Sequence, residues 1–376
     1  MKILIVGGGI GGVTAACALA PAHQVTLLER AEAFVPLGAG IILAPNALAI
    51  LDRLGIAVRH AGLPLQELRI TDQTDRAIQS IQPSKSETGL PYTFSRPDLH
   101  QQLLTALPPS VDVRLGTTID AFEETPAGVE VQSARGLERY DLIIGADGLR
   151  SQIRETRLGP SNYRYSGVTC FRGLTQNPGL TCAIESWGHL ARFGMVPLKG
   201  SQLYYFLVHS APERAEAPVF PAAFRAIYGQ FEGPAARVLE QIGALPSLHH
   251  DLIELDAPVW GTNRVILLGD AAHAMTPNQG QGAAMAIEDA LGLAVALRGG
   301  ISGALERYQT LRDARVRKVQ IDSRRIGELA HLRSRALERL RNGALRMLPD
   351  SMSQRQYTSL IAPGLELAAQ ALDSKA

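Results

Sequence analysis

MKILIVGGGIGGVTAACALAPAHQVTLLER, residues 1–30, admits two opposed readings. One lysine, an apolar run and a tail of small residues have the look of an export signal. The same letters also spell a strand, a glycine-rich turn and a helix, the unit that grips a dinucleotide. The glycines decide. Gly7, Gly8, Gly9, Gly11 and Gly12 fall in the middle of what would be the apolar core of a signal, and each disfavours a helix by about 1 kcal/mol relative to alanine. As a nucleotide fold every piece is in register. Lys2 to Val6 is a β-branched run suited to a buried strand, and Gly7, Gly9 and Gly12 make G-x-G-x-x-G. Val13 to Ala20 is a helix of small residues, and Gln24 to Leu28 is a second strand ending in Glu29. That acid lies about twenty residues past the glycines, where a ribose hydroxyl needs an acceptor.

A chain of 376 residues has room for two modest domains, or for one large one with an insertion. A net charge of +1 gives no general attraction to nucleic acid or to acidic membranes. Cys17, Cys170 and Cys182 are widely spaced and match no metal or redox pattern, so free thiols and no metal are expected. No apolar stretch reaches the eighteen or so residues of a membrane span. The first strand starts at residue 2, which leaves no room for a transit peptide. A cytoplasmic enzyme, monomer or homodimer, is the expectation.

Strand and helix patterns alternate to about residue 65, and then the texture changes. Leu68 to Gln82 and Gly167 to His209 carry short alternating runs that read as antiparallel strands, with PLKGSQ (197–202) as a hairpin turn. Between them, SRPDLHQQLLTAL reads as a helix opened by Ser95 with Pro97 in its first turn. YDLIIGADG (140–148) is a further buried strand ending in a glycine turn. Two helix-like stretches near 220–243 precede a strand in HHDLIEL (249–255). From Arg264 the strand–loop–helix texture returns.

A second motif lies in LLGDAAHAMTPNQGQGAAMAIEDA (267–290). A buried strand, Val265 to Leu268, delivers Gly269-Asp270, a carboxylate able to accept from polyol hydroxyls. A helix follows from about Gly282 to Leu297. Its N-terminus carries no side chain at Gly280 or Gly282, so its backbone N–H groups and dipole are available to an anion. A third motif, DLIIGADGLRSQIR (141–154), places Asp147 at the end of a strand, with Arg150 and Arg154 beyond it.

These three motifs, in this order and spacing, resemble the single-component FAD-dependent aromatic hydroxylases, the flavoprotein monooxygenases that act on salicylate, urate and alkylquinolones. The resemblance reaches to about residue 330. It implies an α/β fold, α+β overall: a Rossmann-like FAD-binding domain (1–67, 96–162 and 262–330) interrupted by a mixed β-sheet substrate domain (68–95 and 163–261). Residues 331–376 would form a C-terminal helical segment. It also implies non-covalent FAD, NAD(P)H as a transient co-substrate, and O2 activated as a flavin C4a-hydroperoxide that hydroxylates a small aromatic or N-heteroaromatic ring.

Residue by residue, the resemblance puts Gly7, Gly9, Ile10 and Gly12 on the pyrophosphate and Glu29 and Arg30 at the adenosine. It puts Arg96 on the cofactor, Ile119 against adenine, Asp147 beside FAD and NAD(P)H, and Asp270 on the ribityl chain or pyrophosphate. Gly280, Gln281, Gly282 and Ala283 would meet the flavin ring, with Pro277 near its reactive face. Gly40, in a small-residue loop entering a helix, would approach the ring by its backbone. In WGHLARFGMVPLKGSQLYYF (187–206), Arg192 and Tyr204 match an Arg and a Tyr of the sheet above the flavin. From the residues alone, Arg192, Tyr204 and Arg172 serve equally as sheet residues or as substrate contacts. The basic stretch Arg312 to Arg346 reads as a terminal helix packed across the FAD domain with its arginines outward, or as an amphipathic helix on a membrane surface. Two other functions remain open: epoxidation or reduction on the same fold, and a flavin-binding regulator that oxygenates nothing.

Overall fold

The structure, a computed structural model, describes residues 1–34, 38–85, 88–246 and 248–373. Its base is a five-stranded parallel sheet in the order Val265–Leu267, Leu142–Gly145, Lys2–Val6, Gln24–Leu28, Asp112–Arg114. The inner strands are continuous apolar runs because helices cover both faces, as parallel sheets require. Helix Ile10–Leu19 is buried almost all round, wedged between this sheet and helix Gly282–Leu297. Only small residues permit that fit. A Cβ on Gly11 would come 2.8 Å from Leu268 and 3.1 Å from Ala286.

A mixed seven-stranded sheet stands over this base, in the order Leu248–Leu255, Tyr163–Gln176, Gln202–Ser210, Ala191–Pro197, Ala183–Trp187, Leu68–Asp72, Ala77–Ile81. Its pairings are antiparallel except for Leu68–Asp72 against Ala183–Trp187, which run parallel, so the sheet is mixed, as the resemblance implied, although the runs by themselves read as antiparallel. Along Gln202–Ser210 the side chains alternate. Leu203, Tyr205 and Leu207 face helices Ala222–Tyr228 and Gly233–Gln241 in a core with Phe171, Phe193 and Phe224. Tyr204, Phe206 and Val208 take the opposite face, toward the nucleotide-binding half. The PLKGSQ turn forms as expected, with Gly200 and Ser201 both at positive φ.

Three features differ from the sequence reading. The segment at Gly40 is no loop: Gly40–Leu43 is a strand paired with Tyr92–Ser95, in a small sheet completed by Leu63–Pro64. Residues 119–140 form an antiparallel meander, Ile119–Thr125, Gly128–Ser133 and Gly136–Tyr140, that the sequence reading did not separate out. The C-terminal part is three helices, Ala304–Ala330, Arg335–Arg346 and Asp350–Asp373. Their arginines do not all point outward. Arg312 and Arg341 are buried, and Arg346 pairs with Asp72 of the seven-stranded sheet. No helix among the described residues is long and apolar enough to cross a membrane.

Candidate functional site

The three sequence motifs converge at the carboxyl ends of the parallel strands, where open α/β sheets bind ligands. Each glycine of the first turn has its own reason. Gly7 sits at φ +110°, and a Cβ there would run into the Ala146 carbonyl. A Cβ on Gly12 would lie well inside van der Waals contact with the Gly7 carbonyl. Gly9 has nothing within 4 Å: its open side is kept bare by no neighbour in the protein. Gly280 and Gly282, across the site, have the same bare side. A pyrophosphate and a planar ring laid along these backbones would fill the space a side chain would take, and the buried Asp147 Oδ1 finds no partner among the described residues. The donors and the open faces fit a dinucleotide.

Glu29 accepts from Gly8 N at 2.8 Å through Oε2 and from Ala31 N at 3.0 Å through Oε1. It therefore shapes the turn and keeps lone pairs for a ribose hydroxyl. Arg30 is exposed beside it. Residues 114–117 are laced to this corner by Thr117 N donating to the Glu29 carbonyl at 3.0 Å, which brings half-buried Ile119 close by. Ile10 opens the helix after the turn. The Ser95 cap forms, its Oγ accepting from Asp98 N at 3.1 Å, and helix Arg96–Thr105 carries His100 against the turn, Nε2 to Gly8 O at 2.7 Å. His100 was not foreseen.

Asp147 lies against Gly7 and accepts from Ile153 N at 3.1 Å. Arg154, 1% exposed, donates to Ala271 O at 2.6 Å and to Leu149 O at 2.7 Å, tying the second motif to the third. Asp270 is exposed at the start of the short helix Asp270–His273. Pro277 is exposed and opens the turn before Gly280, which is left-handed at φ +64°; Ala283 is half-buried in the first turn of helix Gly282–Leu297.

Beneath these loops lies a buried charge cluster that sequence reasoning missed. Glu288 and Asp289 are fully buried neighbours on helix Gly282–Leu297. Asp289 accepts from Gly269 N at 2.9 Å and from His273 Nε2 at 2.5 Å, fixing the loop that carries Asp270. Glu288 accepts from Asn46 Nδ2 at 2.7 Å, and Asn46 also donates to Gln281 Oε1 at 3.0 Å, fixing the other loop. Arg312 joins the two, with Nη1 to Glu288 at 2.6 Å and Nε to Asp289 at 2.8 Å. Burial alone pushes the Asp289 pKa up, but His273 and Arg312 together outweigh it and hold the carboxyl at about 2. A consecutive Glu-Asp inside the otherwise apolar AMAIEDALGLAVAL was the available signal, since buried carboxylates need cations.

On the sheet side the structure brings Tyr204, Arg172 and Arg96 together. Tyr204 packs on Gly40, whose Cβ would stand 2.5 Å from Tyr204 Cγ, so the bare face of Gly40 is turned to this phenol ring. Burial pushes the Tyr204 pKa up to about 12 against the pull of Arg172 and Arg96, leaving the phenol a hydrogen-bond donor. Burial and Arg172 lower the pKa of Arg96, with Tyr204 and Asp270 opposing. Arg172 forms no ion pair with a carboxylate among the described residues, and its buried Nε has no partner there. Burial and Arg172 also bring the His250 pKa down to about 4.

Arg192 is not part of this group. It shares the sheet face but lies four residues further along its strand, 3% exposed, with Nη1 on Glu185 at 3.1 Å and Nε on His331 Nε2 at 2.9 Å.

The FAD binding domain family model matches residues 1–322. The 2-heptyl-3-hydroxy-4(1H)-quinolone synthase of Pseudomonas aeruginosa is 34% identical, over 98% of this chain and 100% of its own. The 3-amino-4-hydroxybenzoate 2-monooxygenase of Streptomyces platensis is 37% identical over 92% of both chains. Among solved structures, Klebsiella pneumoniae HpxO complexed with FAD and uric acid superposes with a TM-score of 0.87 at 25% identity, covering 97% of each chain.

Proposed function

The chain belongs to the FAD-binding family of flavoprotein aromatic hydroxylases, and from that footing we propose that it uses NAD(P)H and O2 to hydroxylate a hydroxylated aromatic or N-heteroaromatic ring. The balance is ring C–H + O2 + NAD(P)H + H⁺ giving ring C–OH + NAD(P)⁺ + H2O. The Gly7–Gly12 turn, Glu29, Asp147, Asp270 and the Gly280–Ala283 turn would hold FAD, which would supply the two-electron redox chemistry between NAD(P)H and O2.

The protein's own residues bind and orient the ring. The observation that carries this reading is the placing, on one sheet face above Gly40, of the buried Tyr204 ring and of Arg172, a cation with no carboxylate partner among the described residues, on neighbouring strands. Arg172 attracts a phenolate, enolate or carboxylate, and Tyr204 donates to a ring oxygen. An electron-rich ring held this way presents its carbon to the cofactor. Arg192, also matched to this role by the resemblance, is instead ion-paired with Glu185 and bonded to His331.

The test is Arg172→Met and Tyr204→Phe. Both variants should keep FAD, raise KM and divert NAD(P)H oxidation toward H2O2. Arg172→Met should lose about tenfold to a hundredfold in kcat/KM, the range of one charge-assisted bond of roughly 1.5–3 kcal/mol. Unchanged KM and coupling in both variants would remove the ring from this position.

A further inference from the structure

Helix Arg335–Arg346 has its polarity inverted. Its charged residues turn inward: Glu338 meets His189 Nδ1 at 2.7 Å, and Arg341 donates to the Leu329 carbonyl at 2.7 Å and lies over the Trp187 ring, both side chains being buried. Its apolar residues face out. Leu337 is 52% exposed, Leu340 69%, and Met347, just past the helix end, 85%. With exposed Ala344 between them they recur three, four and three residues apart, the rhythm that keeps side chains on one side of a helix. Leucines exposed singly need no explanation, but an aligned stripe marks an interaction surface.

The charges beside this stripe have one sign. Arg333, Arg335 and Arg339 are exposed and form no ion pair among the described residues. The one acid between Leu329 and Pro349 is the buried Glu338, and Glu328 just before them is paired with Arg164 at 3.1 Å. A second copy laid on this face about a two-fold axis would set arginines near arginines with no acid to meet them, so charge opposes self-association here. An anionic bilayer surface suits both features: leucines enter the acyl boundary while guanidinium groups stay among the phosphates.

We propose that helix Arg335–Arg346 seats the protein on the surface of an anionic lipid bilayer, with Leu337, Leu340 and Met347 in the acyl boundary and Arg333, Arg335 and Arg339 among the head groups. The helix is already formed and tied to the body of the protein by Arg346 on Asp72 and Arg341 on Trp187, so docking requires no unfolding. A few apolar side chains and a few charges give peripheral, reversible attachment rather than a span. This attachment is independent of the hydroxylase reading.

The experiment floats the FAD-loaded full chain with extruded vesicles, made either of phosphatidylcholine alone or with about one-third phosphatidylglycerol. The protein should rise with the anionic vesicles, bind the neutral ones at least about tenfold more weakly, and come off the anionic ones as salt is raised. Leu337→Ser with Leu340→Ser, and separately Arg335→Gln with Arg339→Gln, should each weaken binding about tenfold or more. Both double variants should keep the parent's FAD content and melting temperature, since the four side chains are exposed. A parent that does not rise with anionic vesicles overturns the proposal, as does equal binding to neutral ones or unchanged affinity in either double variant. A parent that ignores vesicles but forms a dimer dissolved by the leucine substitutions gives this face to a second copy instead.

Discussion

Arg312→Met cuts the buried cluster at its centre. In the parent, Arg312 and Arg315 balance Glu288 and Asp289, all four nearly or fully buried. Removing Arg312 leaves a surplus carboxylate charge in the interior. Breaking one partner out of a buried pair costs about 3–5 kcal/mol, because the remaining charge is uncompensated. For a chain of this length, the size-scaled unfolding entropy converts that into a Tm fall of roughly 4–6 °C. The damage also reaches the cofactor. Glu288 holds Asn46, which holds Gln281, so loss of register should weaken FAD binding by the worth of one hydrogen bond, roughly twofold to tenfold in Kd. Thermal melting and FAD titration of the apoprotein read the two effects. Adding Glu288→Gln to Arg312→Met restores charge balance and leaves an acceptor for Asn46, so the double variant should be more stable than the sum of the singles by about 1–3 kcal/mol. A single variant that melts and binds FAD like the parent, or a strictly additive double, would refute the view of the cluster as a clamp on both loops.

Gly9→Val should fold normally and lose FAD, because the side chain enters open space meant for the cofactor, whereas Gly12→Ala should damage folding itself by striking the Gly7 carbonyl; circular dichroism with FAD content separates them, and equal behaviour would contradict the distinction. Glu29→Ala should weaken FAD about tenfold to a hundredfold, since the carboxylate receives Gly8 N and Ala31 N and is the acceptor proposed for the ribose; an unchanged Kd by apoprotein titration would displace the adenosine site. Burial, with His249, lowers the His209 pKa to about 4, and burial with Arg192 lowers that of His331 to about 2. Below pH 6.5 the unfolded chain therefore takes up protons that the folded chain refuses, so stability should fall as pH drops from 6.5 toward 4, and His209→Asn should flatten that slope by up to about 1.4 kcal/mol per pH unit. Denaturant melts at pH 7 and pH 4.5 measure it, and an unchanged slope would count against the assignment.

Local rules made much of the fold readable. The glycine turn, the Ser95 cap, the hairpin at 197–202 and helix Gly282–Leu297 each depend on residues within a few positions of one another. Strand Gly40–Leu43 was missed because its partner, Tyr92–Ser95, lies about fifty residues away, and four small and apolar residues show no period of their own. The meander 119–140 was missed because IDAFEET and GLERY are half charged, with one face to solvent. In the site, the backbone-binding motifs were legible, while side chains defined by distant partners were not. Arg312 looks like a surface arginine in sequence, yet the Glu288–Asp289 pair, more than twenty residues away, holds it in the interior, while Arg192 is taken up by Glu185 on the neighbouring strand. Arg172 and Tyr204 meet because they lie on neighbouring strands, and their shared face follows from register rather than from spacing.

The central claim is that this flavoprotein puts one atom of O2 onto an aromatic ring bound at Arg172 and Tyr204. Turnover under ¹⁸O2 with NAD(P)H and a panel of hydroxylated aromatic and N-heteroaromatic rings, followed by mass spectrometry of the product, tests it directly. The account predicts ring-stimulated NAD(P)H oxidation and one ¹⁸O in each hydroxylated product. Oxidation of NAD(P)H at a rate indifferent to every ring offered, or a product whose new oxygen comes from water, would contradict it.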